Sequence, residues 1–310
     1  MSHKKAQKSQ KGFLRWGALF VLVCGVIGIV SIEARAALSK KQARKVIQTV
    51  AGWSLPSDAV RIDSIRSSSA ASADVSAELE MVFRLRFYEG RWELREIRVG
   101  QDVWEQLAMI ARAANAELPA SECDAPSELA SSKSDTELTN KRARCLIASV
   151  FGITLPSDDV RIKDISPFGL SLGSETPTLV TALVRADFRL ARDAKDWHVT
   201  EFKTGNRDWI NITGLTASLD QIKRTAASED LSIIVKALSD FRRDRGYFVV
   251  SDKESVLIDH LSPHYLARVI RVDPWHRPYR YDGQQDRYSL RSLGPDGKPN
   301  TPDDIVVSGP

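Results

Sequence analysis

Two stretches near the C-terminus decide the reading: Asp273-Pro274-Trp275-His276-Arg277-Pro278-Tyr279, and Ser292-Leu293-Gly294-Pro295-Asp296-Gly297-Lys298-Pro299-Asn300-Thr301-Pro302-Asp303-Asp304. In the second, three carboxylates (Asp296, Asp303 and Asp304) fall within nine positions. Gly294, Pro295, Gly297, Pro299 and Pro302 surround them, so neither a helix nor a regular strand can form and the chain must wrap as a loop. Carboxylates gathered in one loop call for a counter-charge. A hard cation with oxygen ligands supplies it most simply, and main-chain carbonyls can complete a calcium shell. The plainer alternative is a solvated Asp-Gly turn.

The two stretches together resemble the C-terminal half of the major pseudopilin of bacterial type II secretion systems. That family carries an Asp-Pro-Trp-Gly-x-Pro-Tyr segment, a small antiparallel sheet, and a Ser-Leu-Gly-x-Asp-Gly calcium loop followed by further aspartates. The resemblance implies a bound Ca2+ held by Asp296, Asp303, Asp304 and the carbonyl of Leu293, with Ser292 a weaker match. It covers roughly residues 215–305, about a third of the chain, and implies other secretion or pilus-assembly proteins as partners. His276 stands where the family has glycine after the tryptophan.

The chain has 310 residues, room for two or three domains, and a net charge of +4. Five of the cations (Lys4, Lys5, Lys8, Lys11 and Arg15) precede the first apolar run, and no basic stripe with interleaved aromatics points to nucleic acid. Residues 16–32 are uncharged and largely apolar, and Glu33-Ala34-Arg35-Ala36 follows as an Ala-x-Ala pattern. Residues 1–36 therefore read either as a cleaved signal peptide or as an inner-membrane anchor, with the rest exported to the periplasm. Gly12-Phe13 is placed like a prepilin cleavage point, but Gly17 stands where that family has glutamate.

Between these ends the chain repeats itself. Leu55-Pro56-Ser57-Asp58 recurs as Leu155-Pro156-Ser157-Asp158, and Val60-Arg61-Ile62 as Val160-Arg161-Ile162, at an offset of 100. The offset then becomes 105: Phe83 meets Phe188, Trp92 meets Trp197, Glu96 meets Glu201, and Trp104 meets Trp209. One five-residue insertion between the first and second strands explains the shift. Each copy opens with a helical pattern ending at Gly52 or Gly152, then shows a short strand, a long alternating strand, and a last strand whose apolar phase switches. A bulge at the same place in both copies accounts for that switch. The expected fold class is α+β: two tandem helix-plus-antiparallel-sheet domains, 38–117 and 139–214, joined by a 118–138 linker. A long helix, a small antiparallel sheet and a calcium loop follow in 215–310. One helix on a curved sheet resembles cystatin-like or nuclear-transport-factor-like cones as a fold analogy.

The linker, rich in Ser, Ala, Glu and Pro, carries Cys123, and Cys145 lies in the second helix. The pair can close a disulfide or stay as two thiols. Residues 218–245 read as a helix with Arg242, Arg243 and Arg245 in its last turn and Gly246 as its stop. His260 and His264 have Pro263 between them, which breaks any helix that would align them on zinc. Glu96 and Glu201 are the recurring carboxylates that a general base would need, but no nucleophile recurs with them, so no catalytic residue is assigned. The expectation is a non-enzymatic exported structural or assembly component. The alternative is a periplasmic protein that binds a ligand or partner with its duplicated cones; no small-molecule substrate is identified.

Overall fold

The computed structural model describes residues 37–116, 123, 137–167, 177–194 and 196–310. The N-terminal apolar run and nearly all of the linker lie outside these residues. Copy one comprises α1 (Lys40–Gln48), a 3-10 turn (Val50–Gly52), β1 (Val60–Ser69), β2 (Ser72–Tyr88), β3 (Arg91–Gly100), β4 (Val103–Gln106) and α2 (Leu107–Ala113). Copy two comprises α3 (Asn140–Val150), β5 (Val160–Pro167), β6 (Thr178–Asp193), β7 (Asp196–Lys203) and β8 (Ile210–Asn211). Then come α4 (Ile212–Arg245), α5 (Glu254–Leu261), β9 (Arg280–Gly283), β10 (Tyr288–Ser292) and β11 (Ile305–Gly309). The α+β class is as expected.

Each copy forms its elements for local reasons that recur. Ser39 caps α1 with a reciprocal Gln42 bond, and Thr139 caps α3 by accepting from the Arg142 amide. Gly152 sits one residue past the α3 cap at φ +65°, where the Ile153 amide can reach back to the Ala148 carbonyl at 2.8 Å. The expected bulge is present twice. Arg84 pairs with Glu96 while Leu85 pairs with Leu94, leaving Arg95 extra. Arg189 pairs with Glu201 while Leu190 pairs with Val199, leaving Thr200 extra.

The copies do not form two separate sheets. β2 and β6 pair antiparallel from Ser72↔Ala191 to Leu85↔Thr178, making one eight-stranded sheet in the order β4-β3-β2-β6-β7-β8, with β1 and β5 added on β2 and β6. Leu79 faces Val184, its own counterpart at offset 105. The duplicated strand thus pairs with itself about a pseudo-two-fold axis, as a homodimer interface would. The physical reason is shared burial. Val75, Ala77, Leu79, Met81 and Phe83 lie opposite Phe188, Ala186, Val184, Ala182 and Val180, and all ten side chains point into one core. Burying a side chain of the Val, Leu or Phe class is worth about 1.5–3 kcal/mol. The helices also cross this seam: α1 packs on β1 and β7, and α3 on β5 and β3. The Phe83 and Phe151 rings meet edge-on at 5.8 Å, one from each copy.

Cys123 and Cys145 form a disulfide, with their Cα atoms 5.8 Å apart, tying the N-terminal part of the linker to α3. On the polar face, the buried carboxylate of Glu78 receives both Arg61 and Arg161, the same residue of the two copies, with Arg61 Nη2 2.8 Å from Oε2. Copy two has Leu183 at the Glu78 position, so one carboxylate serves both arginines. Glu78→Gln is expected to cost about 2 kcal/mol in urea unfolding, because both hydrated guanidiniums lose their buried acceptor. Glu80→Gln, at the exposed Lys163 pair, is expected to cost under about 0.5 kcal/mol.

Candidate metal loop and the junction that holds it

The 34 residues of α4 span about 50 Å, and two cores share them. The helix starts at Ile212, directly after β8, earlier than the apolar spacing indicates. The Asn211 side chain caps it by accepting from the Gly214 amide at 2.9 Å. Gly246 ends it at φ +84°. Its second half buries Leu231, Ile234, Leu238 and Phe241 against Tyr279, Tyr281, Tyr288 and Leu290 of the small β11-β10-β9 sheet. Burial pushes the Tyr279 and Tyr281 hydroxyls above the range in which tyrosine ionises in water. Their partners are Asp230 and the Val249 carbonyl.

The acidic loop joins β10 to β11. Its entry is fixed by Asp273, which is 2% exposed. Asp273 Oδ1 accepts from the Trp275 and Arg277 amides at 3.0 Å each, and Oδ2 accepts from the Ser292 hydroxyl at 2.6 Å. The Arg277 guanidinium donates to the carbonyls of Gly294 and Pro295. The Asp-Pro-Trp segment and the Ser-Leu-Gly loop are therefore one hydrogen-bonded unit, which is why both stretches occur together.

Within the loop, Leu293 is buried beside Ser292. Gly294 has φ +59°, and a Cβ there would lie 2.4 Å from the Asp303 carbonyl oxygen, so the two arms of the loop touch. Asp303 Oδ2 accepts from the Asp296 amide at 3.2 Å. The Thr301 hydroxyl lies 3.4 Å from Asp296 Oδ1 and 3.5 Å from Asp304 Oδ1. The Thr301 hydroxyl, followed by the Asp296 amide, holds the Asp303 carboxyl below the ordinary carboxylate range. Asp296 and Asp304 thus flank one hydroxyl whose nearest acceptor is the Lys298 carbonyl at 3.1 Å, and Asp303 lies at the Asp296 amide, with Arg291 3.7 Å from Asp304 as the neighbouring cation. Among the described residues, no group of three or more His, Cys, Asp or Glu side chains could by itself hold a metal ion. A cation here would also draw on main-chain oxygens.

A junction missing from the sequence reading sits at the first half of α4. Lys223 (5% exposed) pairs with Glu105 of β4 (7% exposed), and His276 Nε2 lies 3.5 Å from the same carboxylate. Trp275 Nε1 donates to Asp220 at 3.0 Å. His276 keeps a left-handed backbone at φ +66°, the conformation that favours glycine, and uses its side chain to reach copy one. A sequence signal for this junction did exist. Lys223, Ala227, Leu231, Ile234 and Leu238 follow helical spacing, so Lys223 stands on the apolar stripe.

Residues 214–308 match the family described as type II secretion system (T2SS), protein G. The C-terminal third is similar to type II secretion protein G. No curated protein matches the chain, and no solved structure does. The protein G match begins at the third residue of α4, so the helix of that domain grows directly from the last strand of the repeat sheet. Among the described residues no helix is long and apolar enough to cross a membrane.

The recurring carboxylates are held by arginine: Arg84 on Glu96, and Arg189 on Glu201 at 2.7 Å. Those guanidiniums stack on Trp104 and Trp209, 4.1 and 4.0 Å from the ring centres. Neither glutamate is poised as a general base. His260 bonds the Val256 carbonyl, and the His264 ring lies against Tyr265.

Burial pushes the Glu105 carboxyl up, but His276 and Lys223 outweigh it and hold it below its ordinary value of 4.5. A depressed carboxyl adds stability above its unfolded pKa and loses it as pH falls through the folded value. Stability should therefore drop steeply below about pH 4.5. Glu105→Gln is expected to flatten that limb and, by leaving Lys223 buried without a counter-charge, to cost about 3–5 kcal/mol at pH 7 in urea titrations.

Proposed function

We propose that the protein is an exported, non-enzymatic structural component of a type II secretion apparatus. In this reading it works in the periplasm alongside other secretion or pilus-assembly proteins. Its protein G domain is stabilised by calcium and carried on a duplicated sheet. The observation that carries the reading is the coincidence of the protein G match at 214–308 with a small sheet and acidic loop packed on a long helix. The Cys123–Cys145 disulfide supports an oxidising compartment. Residues 1–36 would serve as the export signal or as the inner-membrane anchor.

The residues that would hold Ca2+ are Asp296, Asp303 and Asp304, with the Leu293 carbonyl as a main-chain ligand. The fit rests on chemistry and placement. The donors are all hard oxygens, and the loop brings Asp296 and Asp304 to Thr301 and Asp303 to the Asp296 amide. Bound there, the ion would neutralise the loop and pin it to the β10–β11 turn.

Calcium at a hundredfold excess over its Kd should add about 2.7 kcal/mol of stability, and EDTA should reverse it. The check is a thermal melt of the full chain with calcium, with EDTA, and after Asp303→Asn. A melt that calcium, chelator and the substitution all leave unchanged contradicts the calcium reading.

A further inference from the structure

Copy one contains a cavity of about 600 Å³, a size suited to a small organic ligand. It opens where β2, β3 and β4 meet the last turn of α3, so both copies build its wall. Trp92, Leu94, Leu146 and Val150 give it an apolar side. Four guanidiniums (Arg84, Arg86, Arg91 and Arg95) face it against two carboxylates, Glu93 and Glu96.

The duplication provides an internal control. Arg84, Glu96 and Trp92 recur in copy two as Arg189, Glu201 and Trp197, and the same Arg–Glu pair forms in both copies. That pair is framework. Arg86, Arg91 and Arg95 do not recur; Ala191, Asp196 and Thr200 stand in their places. The positive charge that copy one adds therefore falls on the lining of this cavity. Arg91 and Arg95 both lean on the single carboxylate of Glu93, so these two guanidiniums share one negative charge.

We propose that the copy-one cavity binds a small amphiphilic anion: a carboxylate, sulfonate or phosphate on an aromatic or aliphatic body. Its head group lies against Arg86, Arg91 and Arg95, and its body against Trp92, Leu146 and Val150. Copy two, with Asp196 in place of one arginine, would repel the same head group. This site uses none of the calcium-loop residues, so it stands independently of the secretion reading.

The test is isothermal titration of the full chain with 2-naphthalenesulfonate and with its uncharged analogue 2-naphthalenemethanol. The sulfonate should bind saturably at one site, about tenfold or more tighter than the alcohol. Arg91→Asp/Arg95→Thr, which writes two copy-two residues into copy one, should weaken the sulfonate by about tenfold or more with an unchanged melting temperature. Arg91 and Arg95 have side chains 60% and 47% exposed, so these two changes spare the core. If the double variant does not fold, Arg95→Thr should still weaken binding about threefold. Equal affinity for the two probes, undiminished binding in the variants, or no saturable binding overturns the proposal.

Discussion

Lys223 and Glu105 are both nearly shut off from water, so each charge is tolerable only in the presence of the other. The pair links residues 118 positions apart, one on the repeat sheet and one on the helix of the protein G domain. His276 adds a third segment from the far side of that domain. A junction with this much desolvated charge has one good arrangement, because sliding the helix past the sheet would strand an ion in an apolar setting. The position of α4 follows from it. The first half of the helix lies against α2, β7 and β8, and the second half against the small sheet.

From that placement the acidic loop acquires a fixed address. Arg224 on α4 reaches the Asp303 carbonyl at 3.4 Å, one turn from the Trp275–Asp220 bond and next to Lys223. The helix that carries the junction therefore also touches the loop. A cation taken up by the three aspartates would stiffen a segment already tied to the repeat sheet through α4. The protein G domain is in this sense carried on the repeat sheet, and the His276 side chain is part of that attachment.

Much of this was legible in the residues. The offsets of 100 and 105 foretell two copies, an insertion and a shared bulge, because duplicated strands keep their apolar phase. The Asp-Pro-Trp and Ser-Leu-Gly stretches foretell the small sheet only through the family resemblance they carry, and the structure adds the Asp273–Ser292 bond between them. The fusion of β2 with β6 was not legible. Alternation shows which face of a strand is buried, but not which neighbour takes its free edge. Lys223 is obscure for a different reason: a lone lysine in a helix ordinarily reads as solvated, and only its phase with Ala227 and Leu231 marks it as buried.

Joined through the Lys223–Glu105–His276 junction, the repeat sheet and the protein G domain should unfold as one cooperative body. Differential scanning calorimetry of the full chain at pH 7 is the decisive measurement. A single transition is expected, with calorimetric and van't Hoff enthalpies that agree. Two resolved transitions, one for the repeat sheet and one for the protein G domain, would contradict it.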